Sequence, residues 1–256
     1  MEVFRWVTEL AARWRRAQRL RRAQRWHARL QTQPGGMALE PRRVLNAAPV
    51  PASAPAEVIV NAGQFAHDGQ TDSYVISQTA AGTQVSVNGQ VQQIVAAGEK
   101  LVIQGSSDAD RVTIDLSHGN PLLNTPVEFV GQGGNDTVRL EGSAQGVVHQ
   151  FATDGTGQIR IDAGTLQYSQ GVSITDALQA HQRSFEINGS QRVEFRDDPA
   201  AGMESATGQF GQQVQFASNS QSLRIDAAQP EPVANQILVT GFDAEFRGDL
   251  TIAGDA

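Results

Sequence analysis

Cysteine is absent from the 256-residue chain. Thiolate metal ligands, thiol nucleophiles and disulfide staples are therefore all excluded. An extracellular home is not, because large repetitive folds are stabilised by stacking instead. Lysine is almost missing: Lys100 stands alone, in a Gly98-Glu99-Lys100 turn ahead of a strand. No apolar run approaches the eighteen or more residues that a membrane span needs, and the usual hydrophobic segment of a signal peptide is missing too. There is no G-x-S-x-G elbow, no H-E-x-x-H, no phosphate loop and no G-x-G-x-x-G. The five histidines (His27, His67, His118, His149 and His181) are scattered without ligand spacing.

What is present points to β structure. Aromatics make up only 6% of the chain, while there are 25 glycines and 10 prolines. With abundant Val and Ile, that composition fits many short strands joined by tight turns. Hydrophobic residues at 39% and charged residues at 18% supply a core, so wholesale disorder is excluded. Charge divides the chain sharply. Residues 1–43 hold eleven Arg and three acids, a balance of +8, whereas residues 44–256 carry −15. A basic head on an acidic body predicts a leader and a working domain. The acidic body repels polyanions, which excludes nucleic acid as its partner.

Residues 1–33 read as a basic amphipathic helical leader. Phe4, Val7, Ala11 and Trp14 recur at helical spacing, and Arg13, Arg15, Arg16, Arg19, Arg21, Arg22, Arg25 and Arg29 surround the distal half. Such a helix suits contact with export machinery or an anionic membrane. Pro34-Gly35-Gly36 stops it. Leu39-Glu40-Pro41-Arg42, followed by Val44-Leu45-Asn46-Ala47, resembles the LEPR-type N-terminal motif of large secreted and surface proteins of some bacteria. Asn46 departs from that family, whose usual ending is closer to Leu-Leu-Ser-Ala. The resemblance implies an extracellular or cell-surface location. Ala48 to Ala56 is a Pro/Ala linker, so residues 34–57 join leader to body.

In the body, Val85-Ser86-Val87 and Val91 flank Asn88-Gly89, the strongest short hairpin signal. Phe185-Glu186-Ile187 and Val193-Glu194-Phe195 flank Asn188-Gly189 in the same way, predicting a second hairpin. Residues 58–98 are therefore expected to form an antiparallel cap. In residues 99–256 a unit of two aliphatics one residue apart recurs before a turn. It appears at Leu101–Gly105, Ile159–Gly164, Leu223–Ala227 and Leu250–Gly254, and again at Val112–Leu116 and Val138–Glu141. Val112 precedes Val138 by 26 residues, a step that suits one coil of a wide parallel β-helix or β-solenoid. The expected fold is thus all-β, a solenoid body with antiparallel hairpins on its N-terminal side, and a β-sandwich as the structural rival. From Gly171 to Ala256 the order of strands and turns resembles the β-rich repeats of bacterial adhesin-like proteins. Leu250-Thr251-Ile252-Ala253-Gly254-Asp255 then reads as the opening of a further unit.

Gly131-Gln132-Gly133-Gly134-Asn135-Asp136-Thr137-Val138-Arg139 resembles the RTX nonapeptide, with Gln132 where the second Gly belongs. The resemblance implies a Ca²⁺ held by Gly131, Gly133, Asn135 and Asp136, with Asp110 from the preceding rung. One turn alone cannot supply six to eight oxygens. A plain turn is the simpler account of the same residues. Asp197-Asp198 is the only candidate carboxylate pair for a carbohydrate-active β-helix enzyme, but adjacent strand residues point to opposite faces. The sequence therefore predicts an exported, non-catalytic structural or adhesion-type protein. Its partners would be cell-surface or matrix components, carbohydrate among them. A carbohydrate-active enzyme and a calcium-binding module are the alternatives.

Overall fold

The computed structural model describes residues 55–62, 68–227, 235–244 and 246–254. The expected leader and LEPR-type motif, and the linker up to residue 54, lie outside them. Among the described residues the chain is all-β, with nineteen strands and no helix, arranged in two mixed sheets.

The chain passes back and forth between the sheets. Strand β1 (Glu57–Asn61) lies in the first sheet, and β2 (Asp72–Thr79), β3 (Gly82–Val87) and β4 (Gln90–Val95) form a meander in the second. Then β5 (Lys100–Gln104), β6 (Asp110–Asp115), β7 (Val127–Val130) and β8 (Thr137–Glu141) alternate, first sheet then second. A meander of β9 (Ser143–Phe151), β10 (Gly157–Ile161) and β11 (Gly164–Tyr168) follows in the first sheet, then β12 (Ser173–Asp176) in the second and β13 (Gln179–Ile187) in the first. The third meander, β14 (Arg192–Asp197), β15 (Met203–Gly208) and β16 (Gln213–Ala217), is in the second sheet. The chain finishes with β17 (Ser222–Asp226) and β19 (Asp249–Ala253) in the first sheet and β18 (Gln236–Val239) in the second.

Within each sheet, strands from successive passes pair in parallel. Val112 lies opposite Val138 and Ile114 opposite Leu140 in the β6–β8 ladder, and Leu101 lies opposite Val127 in β5–β7. The 26-residue step is therefore a ladder step. Longer steps mark inserted meanders: Ser173 pairs with Gln213 across a passage that contains β14 and β15. Each meander has three strands, so two reversals return the chain to the direction in which it entered. That is why β11 pairs in parallel with β7 while β9 pairs in parallel with β13.

Side chains alternate between core and solvent, as in β6 (Asp110 in, Arg111 out, Val112 in) and β10 (Ile159 and Ile161 in). Inward residues of both sheets form one core. Phe185 of the first sheet meets Phe195 and Phe216 of the second at ring-centroid distances of 5.1 and 5.0 Å. Each fully buried aliphatic or Phe side chain contributes about 1.5–3 kcal/mol against leaving it in water, so the repeated inward pairs supply most of the driving force.

Two expectations require correction. Antiparallel pairing is not confined to the N-terminal side, because β9–β10–β11 and β14–β15–β16 are antiparallel meanders further along. Asn188-Gly189 does not close a hairpin either: β13 and β14 belong to different sheets. The positive φ of Gly189 (72°) turns the chain across the core, because a residue that permits a tight reversal also permits a corner. Asn88 (φ 50°) and Gly89 (φ 78°) do make the β3–β4 hairpin turn.

Candidate functional site: a buried carboxylate ladder

The passes β5–β6 and β7–β8 share one local plan. A first-sheet strand ends, Gly105 or Gly131 follows at once, a short loop turns the corner, and Asp110 or Asp136 opens the way into the second sheet. The glycines are required by close approach. A β-carbon on Gly105 would strike the Asp110 carboxylate, and one on Gly131 the Asp136 carboxylate. The second loop rests on the first: Gly134, at φ 75°, lies against the backbone carbonyl of Asp108, and Gly133 against Ser107.

This plan stacks carboxylates. Asp72 pairs with Asp110 in the β2–β6 ladder, and the Asp110 N–H donates to Asp136 Oδ1 at 3.0 Å. All three are buried, with exposures of 1%, 1% and 5% for Asp72, Asp110 and Asp136. Asn88 Nδ2 donates to Asp72 Oδ1 at 2.8 Å, and the Ser106 N–H donates to Asp110 Oδ2 at 2.6 Å. Among the described residues, Asp72 Oδ2 and Asp110 Oδ1 have no hydrogen-bond partner. The column ends at Val172, since β12 pairs its Ser173 with Thr137. Beside it, the buried Tyr74 hydroxyl donates to the Gln104 carbonyl at 3.3 Å.

The electrostatics follow from burial that backbone N–H groups offset only in part. Desolvation, with the charge of Asp110 added, pushes the Asp136 carboxyl up to about 6, against the pull of the Asp110 N–H. Burial likewise raises Asp110; the Ser106 N–H opposes the rise, and the charges of Asp72 and Asp108 add to it. The Tyr74 hydroxyl is raised by burial first and then by the acids beside it.

Of the residues expected to hold Ca²⁺, Asp110 and Asp136 are thus brought together and Gly131 packs on Asp136. Gly133 touches the preceding loop, and Asn135 is exposed. Among the described residues, no group of three or more His, Asp or Glu side chains is arranged to hold a metal ion. Asp72 went unread in the sequence, although its signal was there. Asp72-x-Tyr74-x-Ile76 has the same form as Asp110-x-Val112-x-Ile114 and Asp136-x-Val138-x-Leu140.

A second buried acid has different company. Asp176, at the end of β12, receives Arg183 of β13 through Nε–Oδ2 (2.8 Å) and Nη2–Oδ1 (3.0 Å), and shares a hydrogen bond with His149 Nε2 of β9 at 2.9 Å. All three side chains are fully buried. Arg183 also donates to the carbonyls of Ala217 and Leu178 and to the Ser220 hydroxyl, and lies over the Phe216 ring. Burial alone would raise Asp176, but the Arg183 charge and the bonds from His149 and Arg183 hold its carboxyl well below the usual range. His149 and Asp176 have the pairing of a catalytic dyad. Yet the ring stacks on Phe185 at 5.0 Å, and Ser220, the hydroxyl in the cluster, is engaged by Arg183. The cluster clamps one sheet to the other.

The outer face of the second sheet carries a shallow trough of about 380 Å³, lined by Thr137, Ser173, Thr175, Arg196, Asp198 and Gln215 among others. Asp198 accepts from Gln215 Nε2 and from the Ala200 N–H, while Asp197 is exposed at the end of β14. The two acids do not converge on one point of the trough. Comparison of the chain with protein-family models, with curated proteins and with solved structures finds no match.

Proposed function

We propose that the chain is an exported, non-catalytic β-solenoid module that serves structural display or adhesion at a bacterial surface. The reading is carried by one observation: passes that alternate between two sheets and pair in parallel, as at Val112–Val138 and Leu223–Leu250, each covering the aliphatic edge of the one before. Stacked passes of this kind make a stiff support whose outer faces are free to vary. An immunoglobulin-like sandwich, by contrast, is built from antiparallel neighbours. The outer face agrees with display, since Gln213, Ser173, Thr137 and Arg111 form one outward row and Gln215, Thr175, Arg139 and Thr113 another, polar throughout. Export is supported by the LEPR-type resemblance behind an Arg-rich stretch.

The test is to produce the full chain in a bacterial host and follow it by protease shaving of intact cells and by binding to arrayed surface glycans and matrix proteins. Surface exposure with saturable binding and no depolymerised product is the expected result. Retention inside the cell, or release of sugar fragments from a polysaccharide, would overturn the proposal.

A further inference from the structure

We infer that two copies of this chain join end to end about a two-fold axis, with edge strand β19 of one copy pairing antiparallel with β19 of the other. The two ends of the stack differ in a way that points to this. At the first end β1 and β4 come together over the core, and Val60 and Val95 are buried although both lie on edge strands. The exposed aliphatics there, Ile59, Val91 and Ile94, sit at outward positions: Ile59 alternates with the buried Val60, and Val91 and Ile94 lie opposite Ser86 and Gln84. At the last pass the core-facing residues themselves are bare. Leu250 and Ile252 lie opposite the buried Leu223 and Ile225, hence on the inward face, yet they are 41% and 51% exposed. Ile237, Val239, Phe242 and Phe246 of the same pass are only partly covered. Head-to-tail stacking needs two open ends. Among the described residues only one end is open, and that leaves the arrangement in which the same patch serves both copies.

The backbone of β19 sets the register. The Asp249 N–H donates to the Gln221 carbonyl, and the Ala253 carbonyl accepts from the Ala227 N–H. Successive residues of a strand point their backbone groups to alternate sides. Those of Asp249, Thr251 and Ala253 therefore serve β17, and those of Leu250 and Ile252 face the open edge. An antiparallel pair centred on Thr251 exchanges both bonds between Leu250 of one copy and Ile252 of the other, and does so twice. Each apolar side chain then meets another on the inward face, and Asp249 falls opposite Ala253, so no like charges meet. A two-fold axis normal to the sheet keeps both inward faces on the same side, and one core runs into the next. Strand β19 has no lysine, proline or bulge, the devices that ordinarily blunt a sheet edge.

Size exclusion of the full chain with light scattering tests this. The expected mass is twice the 27.4 kDa of one chain. A single-chain mass at every concentration up to high micromolar overturns the proposal, and so does a mass that climbs past two copies, the mark of head-to-tail growth. Leu250→Lys/Ile252→Lys changes side chains that the fold leaves exposed, and it should halve the mass. Ile59→Lys, on the outer face of β1, should leave the mass at two copies; two variants that behave alike overturn the proposal. A thiol reads the register even if the lysine variants misfold. The chain has no cysteine, and Thr251→Cys places two sulfurs across the axis in a closely spaced, non-hydrogen-bonded pair. Mild oxidation should convert that variant to a covalent dimer, while Thr113→Cys on the outer face of the second sheet stays a single chain. No cross-link at position 251, or equal cross-linking at both positions, overturns the proposal.

Discussion

Asp176 and Asp136 are both withdrawn from water, yet their surroundings drive them in opposite directions. Asp176 meets a guanidinium with bidentate geometry and a histidine, and its carboxyl is held low. Asp136 meets the backbone N–H and the charge of Asp110 and no opposing cation among the described residues, and burial pushes its carboxyl up to about 6. Burial raises both, and only at Asp176 do an opposite charge and its hydrogen bonds outweigh it. The clamp and the ladder also stand on different limbs of the pH axis. Asp176 contributes stability above its unfolded value, which is lost as pH falls through its depressed folded value. Asp136 contributes in acid, and its contribution is lost as pH rises through about 6.

The largest effect should come from turning the first centre into the second. Arg183→Met leaves Asp176 buried with only His149 and the Leu178 N–H as partners, and should cost about 3–5 kcal/mol at pH 7 by chemical denaturation. The loss should shrink at pH 4, where Asp176 can then hold a proton. Next in size, Gly131→Ala forces a methyl group onto the Asp136 carboxylate. It should cost about 1–3 kcal/mol at any pH, read from the same unfolding curves, as overpacking does in a tight corner. Asp136→Asn should have the opposite sign, a gain of about 1–2 kcal/mol at pH 7 that vanishes near pH 4, because it removes the ionisation that burial opposes. A loss at pH 7 would break the contrast between the two centres. Lys100→Met provides the solvent-side control. Lys100 bridges Glu57 and Glu128 on the outer face of the first sheet, and its loss should change the melting temperature by an amount corresponding to less than about 1 kcal/mol, less again in high salt.

Much of this molecule could be read from residue order, and the gaps have physical causes. The Val112–Val138 ladder was legible because both strands sit behind the same Gly-loop-Asp corner 26 residues apart. The Asn88-Gly89 turn was legible because left-handed φ at two positions admits few residues. Orientation was not. Ile159-Arg160-Ile161 has the same two-aliphatic form as Leu101-Val102-Ile103, yet β10 runs antiparallel to both neighbours while β5 is parallel to its own. Inward alternation records which face is buried, not which way the neighbour runs. Asp72 was hidden by the inserted β3–β4 hairpin, which stretches its step to Asp110 to 38 residues. His149, Asp176 and Arg183 showed no ligand spacing, since they meet across the core from two sheets and only burial makes the clamp.

The three-stranded detours carry a consequence for how such a chain can change length. A passage may acquire or shed strands two at a time and still deliver the backbone to the next rung with its original heading, whereas a single added strand would send every later segment backwards. Growth by hairpin is therefore a grammatical edit of this architecture, one that leaves the sentences on either side readable.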